Sequence, residues 1–324
     1  MRAGKLSIAA ALLGLAASIA LIRWFGFHRV LAAALAVGWR GGSVLILWQG
    51  VLYVVLGVAW WALVPGRPRL RVLVWARAVR DAAANCLPFS VVGGLVFGAR
   101  TATTGGLAWP MASASALADV TLEFLTQLIF AAGGLALLMA ERPDLPLALP
   151  IWAGIGIGLI GALAFIALQR GSAGLVRRPA RRFGMPWLTT LAARILLMRE
   201  ELRQIYATPL RFIVSSALHL AGWIINGVGG WFIMRFTGAT IGLPAALAIE
   251  GLLQLMLTAA FAIPGFAGVQ EAAYVGIGGL FGLMPDTAIA VSLVRRVRDV
   301  VVGVPILIAW QIAEARRFES RRPT

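Results

Sequence analysis

Long apolar runs, separated by short arginine-rich or Pro/Gly-containing stretches, set the pattern of this chain. A helix needs about 20 apolar residues to cross a bilayer. Runs of that length fall at 6–24, 43–64, 111–139, 148–168, 211–235, 240–262 and 287–310. Two further apolar stretches, 84–108 and 263–284, are interrupted by proline and glycine. The pattern predicts an all-α polytopic membrane protein, one integral domain over 1–324, with about eight transmembrane helices. The first run follows Arg2 and Lys5 as in a signal peptide, but it is long and lacks a clear small-residue cleavage site. It is read as a retained helix.

The polar residues between the runs orient the chain. Arg67, Arg69, Arg71, Arg77 and Arg80 form one basic cluster. A second runs from Arg170 through Arg177, Arg178, Arg181, Arg182, Arg194, Arg199 and Arg203 to Arg211, and a third holds Arg316, Arg317, Arg321 and Arg322. Basic loops stay cytoplasmic, so both termini are expected there and the loop Glu141 to Asp144 outside. Parity then requires 84–108 to enter and return, and 263–284 to cross. Trp24, Trp39, Trp75, Trp109, Trp187 and Trp310 lie near run ends, where indoles sit at headgroup level.

Residues 187–206 differ in period. Leu188, Leu191, Ile195, Met198, Leu202 and Ile205 share one face, with Arg194, Arg199, Glu200, Arg203 and Gln204 on others. That is an amphipathic helix, either lying in the cytoplasmic interface or packed on the ends of the bundle. Both readings stand.

A duplication is the most informative pattern. Leu87-Pro88-Phe89 with Gly93-Gly94 matches Ile263-Pro264-Gly265 with Gly268. A second proline follows in each copy, Pro110 and Pro285. Pro88 to Glu123 spans 35 residues, as does Pro264 to Asp299. The copies run about 70–140 and 246–311, each a break, Gly-rich half-helices, a proline and a charged helix. Interrupted helices at matching places in two repeats point to a binding site near the bilayer midplane. Backbone freed by proline is tolerated there only against protein or a polar cavity. The simpler reading is that Pro and Gly kink packed helices.

Composition sharpens this picture. Apolar residues make up 60% of the chain and charged ones 13%, about half the charge a soluble domain carries. The net charge is +16, which in this context fits anionic headgroups rather than nucleic acid. Cys86 is the single cysteine, so no intramolecular disulfide forms. No metal-ligand spacing, nucleotide-binding glycine loop or nucleophile pair is present, so neither metal nor cofactor is expected.

Ionisable groups inside apolar helices cost about 2.5–3.5 kcal/mol each. Ser115, Asp119, Glu123 and Gln127 lie at four-residue steps on one face. Arg295 and Asp299 share a face in the second copy, beside Arg296 and Arg298. Glu250, Gln254 and Thr258 form a third stripe; Arg77, Arg80, Asp81 and Asn85 a fourth; His219 and Asn226 a weaker fifth. Gln270 and Glu271 closely follow the second break. Mutual neutralisation is expected, with Asp119 or Glu123 pairing with Arg295 or Arg298 across the copies. Such pairs serve either to lock helices or also to contact a ligand.

The motifs are familiar. Arg80-Asp81-Ala82-Ala83-Ala84-Asn85-Cys86-Leu87-Pro88-Phe89-Ser90, Gly93-Gly94, Gly98-Ala99-Arg100, Asp119-Val120-Thr121-Leu122-Glu123, Ile249-Glu250, Pro264-Gly265-Phe266-Ala267-Gly268-Val269-Gln270-Glu271 and Arg295-Arg296-Val297-Arg298-Asp299 resemble the hopanoid-biosynthesis-associated branch of the flippase-like membrane proteins. That superfamily shares the transmembrane part of the lysylphosphatidylglycerol synthases. The resemblance implies a bacterial inner-membrane protein that moves or presents a lipid, a hopanoid or a relative, around a lipid-accessible cavity. The aminoacyl-transferring relatives carry a large soluble domain beyond the point where this sequence stops, so lipid aminoacylation is not expected.

The residues expected to bind the lipid are Arg80, Asp81, Asn85, Pro88, Gly93, Gly94, Asp119, Glu123, Gln127, Glu250, Gln254, Pro264, Gly265, Gly268, Gln270, Glu271, Arg295, Arg298 and Asp299. No catalytic residue is assigned. The partners expected are a membrane lipid (hopanoid or phospholipid), hopanoid-biosynthesis proteins and a second copy of the chain. Two alternatives remain. One is a non-transporting scaffold in a hopanoid-synthesis assembly. The other is a membrane enzyme using Asp119, Glu123 and Glu271 for acid–base work on a lipid-linked substrate.

Overall fold

The computed structural model describes residues 27–66, 68–87, 90–143, 148–171, 186–260, 266 and 268–319. Among them it has ten helices and no strand: α1 (Phe27–Leu63), α2 (Leu70–Cys86), α3 (Ser90–Thr103), α4 (Trp109–Glu141), α5 (Ala148–Gly171), α6 (Pro186–Tyr206), α7 (Pro209–Phe236), α8 (Leu243–Ala259), α9 (Val269–Leu280) and α10 (Pro285–Glu319). The chain is an all-α polytopic membrane protein. The N-terminal run 6–24, Arg67, and the break residues Pro88, Pro264 and Gly265 lie outside the described residues.

Four described stretches are long and apolar enough to cross a membrane: Leu35–Leu63, Trp109–Glu141, Leu149–Ala167 and Pro209–Phe236. The expectation of about eight crossings also counted 6–24, 240–262, 263–284 and 287–310. Of these, α8 has 17 residues and α9 has 12, roughly 26 and 18 Å at 1.5 Å per residue, short of a hydrocarbon core of about 30 Å. The expected crossing at 263–284 is therefore not made by α9 alone. The 35-residue α10 is long enough but carries Arg295, Arg296, Arg298 and Asp299 in mid-helix.

Three helices fall in each of the two expected copies, short, short and long in order. The first is α2, α3 and α4, of 17, 14 and 33 residues; the second is α8, α9 and α10, of 17, 12 and 35. In the first unit the chain turns back at Leu87. A methyl group added at Gly94 would lie 2.7 Å from the Arg80 carbonyl oxygen, and one at Gly98 2.9 Å from the Arg80 side chain. Further along, Gly105 abuts Val72, so α3 runs antiparallel on α2.

The other helices wrap these units. Trp48 on α1 donates from its indole to the Ile225 carbonyl at 2.7 Å, Gly222 meets Leu52 and Leu56, and Gly41 meets Phe236. Helices α1 and α7 are thus antiparallel neighbours. Between the units, Gln127 on α4 donates to Thr258 on α8 at 2.7 Å, and Gly134 lies against Ala248. Helix α6 docks on the bundle, burying Leu202 and Ile205 against Leu63, Ala114, Ala118 and Leu122. Of the two readings left open for this helix, packing on the bundle describes residues 198–206. Glu200 and Arg203 stay exposed on its other side.

Candidate functional site

The first polar cluster grows from the stripes on α2 and α4. Arg77 and Arg80 are one turn apart on α2, as are Asp119 and Glu123 on α4. Facing helices bring the four together. Arg77 donates through Nη1 to Asp119 Oδ2 at 3.2 Å and to Glu123 Oε2 at 3.1 Å, and through Nε to Asp81 at 2.9 Å. Arg80 donates to Asp119 at 2.5 Å and also to Glu123. From α7, His219 Nε2 meets the other Asp119 oxygen at 3.0 Å. Arg77 and Asp119 are essentially sealed from solvent.

This changes one expectation. Arg77 and Arg80 were grouped with the basic residues that set topology. They are instead buried partners of carboxylates, so that charge cluster is reduced to Arg69 and Arg71 among the described residues.

The second cluster joins α8, α9 and α10. Glu250 on α8 is fully buried, pairs with Arg295, and accepts the Tyr274 hydroxyl at 2.5 Å. It fits because Gly230 on α7 leaves the space: a β-carbon there would lie 2.3 Å from Glu250 Oε1. Arg296 Nε donates to Glu271 at 2.9 Å, and Ser292 also donates to that carboxylate at 2.8 Å. The other Glu271 oxygen accepts the Gly268 backbone N–H at 2.9 Å, where a φ of 78° favours glycine. Gln270 holds Ser292, and Arg298 pairs with neighbouring Asp299.

The expected cross-copy pairing of Asp119 or Glu123 with Arg295 or Arg298 is not what forms. Each cluster is neutralised largely within its own unit, although the short helix of each unit packs on the long helix of the other, α8 on α4 and α2 on α10; the long arginine side chains reach their carboxylates across the gap. An ion pair that does bridge the units joins Arg100 on α3 to Glu314 on α10.

Both clusters open onto one cavity of about 500 Å³. Arg80, Asp81, Asn85, Glu123, Gln127, Gln254, Gln270, Arg295, Arg298 and Asp299 line it. Asp119, Glu250 and Glu271 do not; they stand behind, fixing Arg77, Arg80, Arg295 and Arg296. Gly94 is a packing contact for α2, Gly93 has no close neighbour, and Gly268 begins α9.

Gln49 on α1 and Trp223 on α7 also line the cavity and were missed. Gln49 is a lone polar residue within an apolar run, which was the available signal. Arg77 was noted but left out of the site, although its four-residue spacing to Asp81 marks a shared face. The lining carboxylates Asp81, Glu123 and Asp299 keep 17 to 19% of their side chains exposed. The side chains of Arg77, Arg80, Arg295 and Arg298 keep 2 to 8%, with Arg296 higher at 15%. Each lining carboxylate is thus fractionally more exposed than the lining arginines.

A family model, the lysylphosphatidylglycerol synthase TM region, matches residues 11–306. The chain belongs to that family. Membership ties it to membrane lipid metabolism or transport. The match takes in the whole first unit, the second as far as residue 306, and every cavity-lining residue. No curated protein and no solved structure matches the chain.

Proposed function

We propose that this protein binds the polar head of an amphipathic lipid, a hopanoid or a related one, in the central cavity and moves it between leaflets of the bacterial inner membrane. The observation that carries this reading is the single cavity shared by the charged helices of both units. Ionisable groups are expensive in hydrocarbon and typically line substrate paths. The exposed carboxylates at the lining favour a donor-rich head, a polyol or an amine, whose hydrogen bonds they accept. Apolar lining residues such as Leu52, Leu56 and Val301 leave room for the first part of a hydrocarbon tail. The remaining arginine-rich stretches favour cytoplasmic termini.

The test is leaflet exchange of a fluorescent lipid in proteoliposomes. The double change Glu123→Gln with Arg298→Gln leaves net charge unaltered and removes one lining charge from each unit. Exchange is expected to fall at least about tenfold, the equivalent of about 1.4 kcal/mol in the barrier. Unchanged exchange in a folded double variant would falsify the reading. Stable co-purification with lipid-synthesis proteins, without exchange by the unaltered protein, would select a scaffold instead.

A further inference from the structure

Formal charge separates the two clusters. The second sets Arg295, Arg296 and Arg298 against Glu250, Glu271 and Asp299, three of each sign. The first sets Arg77 and Arg80 against Asp81, Asp119 and Glu123, and is one cation short. A charge taken out of water is costly unless it is compensated. The group standing at the deficit is His219. Its Nε2 lies 3.0 Å from Asp119 Oδ1, and both side chains have 0% exposure.

The surroundings of His219 can be named helix by helix. From α4 come Asp119 and Glu123, and from α2 Arg77, Arg80 and Asp81. Tyr53 is the titratable group of α1 on the Asp81 side. Farther along α7, Glu250 of α8 lies against Gly230 and Arg298 of α10 against Gly229. On α7 itself, Ser215 is one turn away. Its Oγ and His219 Nδ1 are buried without a protein hydrogen-bond partner among the described residues. The imidazole is thus fixed by one carboxylate on one side and keeps its other nitrogen available.

We infer that His219 is a proton-binding site built into the first cluster. A proton on the imidazole supplies the third cation. Its loss leaves the cluster one negative charge in excess, and that excess faces the cavity through Asp81 and Glu123. A cationic or donor group arriving at these carboxylates therefore competes with the proton. By linkage the proton opposes that arrival equally. The proton site stands on geometry and charge count alone; only its coupling to cavity occupancy rests on the lipid-handling reading.

The chain has only two histidines, so His28→Gln leaves His219 as the sole reporter. The test is the nitrogen-15 spectrum of histidine-labelled His28→Gln protein in nanodiscs of phosphatidylethanolamine and phosphatidylglycerol. It is recorded at about pH 7.5. The expected ring carries hydrogen on both nitrogens; a ring with one bare nitrogen overturns the inference. Adding Asp81→Asn balances the cluster at two against two and is expected to convert the ring to its neutral form. A doubly protonated ring persisting in that folded variant also overturns it. Glu123→Gln makes the same change in charge where Asp81→Asn does not fold, and the first spectrum decides the matter where neither does. No transport is measured, so a neutral ring removes the proton site and leaves the lipid reading standing. Absent exchange beside a protonated ring does the reverse.

Discussion

The two three-helix units share a frame and invert its polarity. In the first, the short helix α2 brings the arginines and the long helix α4 the carboxylates. In the second, the short helix α8 brings the carboxylate Glu250 and the long helix α10 brings Arg295. A shift of 176 residues carries Asp119 onto Arg295 and Glu123 onto Asp299. What the duplicated frame retains at that buried position is a paired ion, not an ion of fixed sign. The helix lengths are similar in the two units. The chemistry differs because a buried ion needs only a partner within reach.

The comparison breaks most visibly at Arg77, which serves three carboxylates. Arg77→Met leaves Asp119 and Glu123 to Arg80 and strips Asp81 of its closer partner. Loss of about 3–5 kcal/mol is expected, the range for removing one member of a buried pair. Unfolding in mild detergent, followed by tryptophan fluorescence, measures it. A loss below about 1 kcal/mol would mean that the cluster is well hydrated, and the buried-ion account of the first unit fails.

Sequence carried much of this. The spacing of Asp119 to Glu123 and the matched distances from Pro88 and Pro264 were legible, because helical period and proline position are local properties. The convergence on a cavity followed from the price of charge in hydrocarbon. Partner choice was not legible. Asp119 stands equally well, by sequence, opposite Arg80 or Arg295; only the reach of the α2 arginines to α4 decides between them. Arg77 and Arg80 were also misplaced because a positional rule for basic loops takes no account of a carboxylate one helix away. Tyr274 carried no signal of its own, since a single tyrosine beside glycines reads as packing.

The second unit is expected to respond less. Arg295→Met leaves Glu250 buried, but the Tyr274 hydroxyl still donates to it. A loss of about 3 kcal/mol is expected, the lower end of the range for removing one member of a buried pair. The swap Glu250→Arg with Arg295→Glu is expected to recover part of it, since the first unit already works with that polarity. The cross-unit swap Asp119→Arg with Arg295→Asp is expected to recover nothing. Recovery by the second swap and not the first, in the same unfolding assay, would show that the units neutralise each other after all.

Gly230 sharpens the asymmetry from the scaffold side. Gly230→Ala places a methyl group against the Glu250 carboxylate, and the helix backbone of α7 offers no easy retreat. A loss of about 1–3 kcal/mol is expected for overpacking at a well-filled site. Combining it with Glu250→Ala, which vacates that volume, is expected to make the two losses clearly non-additive. Simple additivity of the two would place the glycine's role elsewhere.

The smallest effect is expected where the units touch through an ion pair. Arg100 keeps 43% of its side chain exposed while Glu314 keeps 10%. The guanidinium therefore retains much of its hydration when the pair is broken, and water screens the attraction while it is made. Arg100→Gln is expected to cost no more than about 1 kcal/mol. The same substitution chemistry that unfolds the buried clusters should leave this bridge nearly silent in the unfolding assay. A loss as large as that of Arg77→Met would mean that the join between units, rather than neutralisation within them, holds the two halves of the cavity in register.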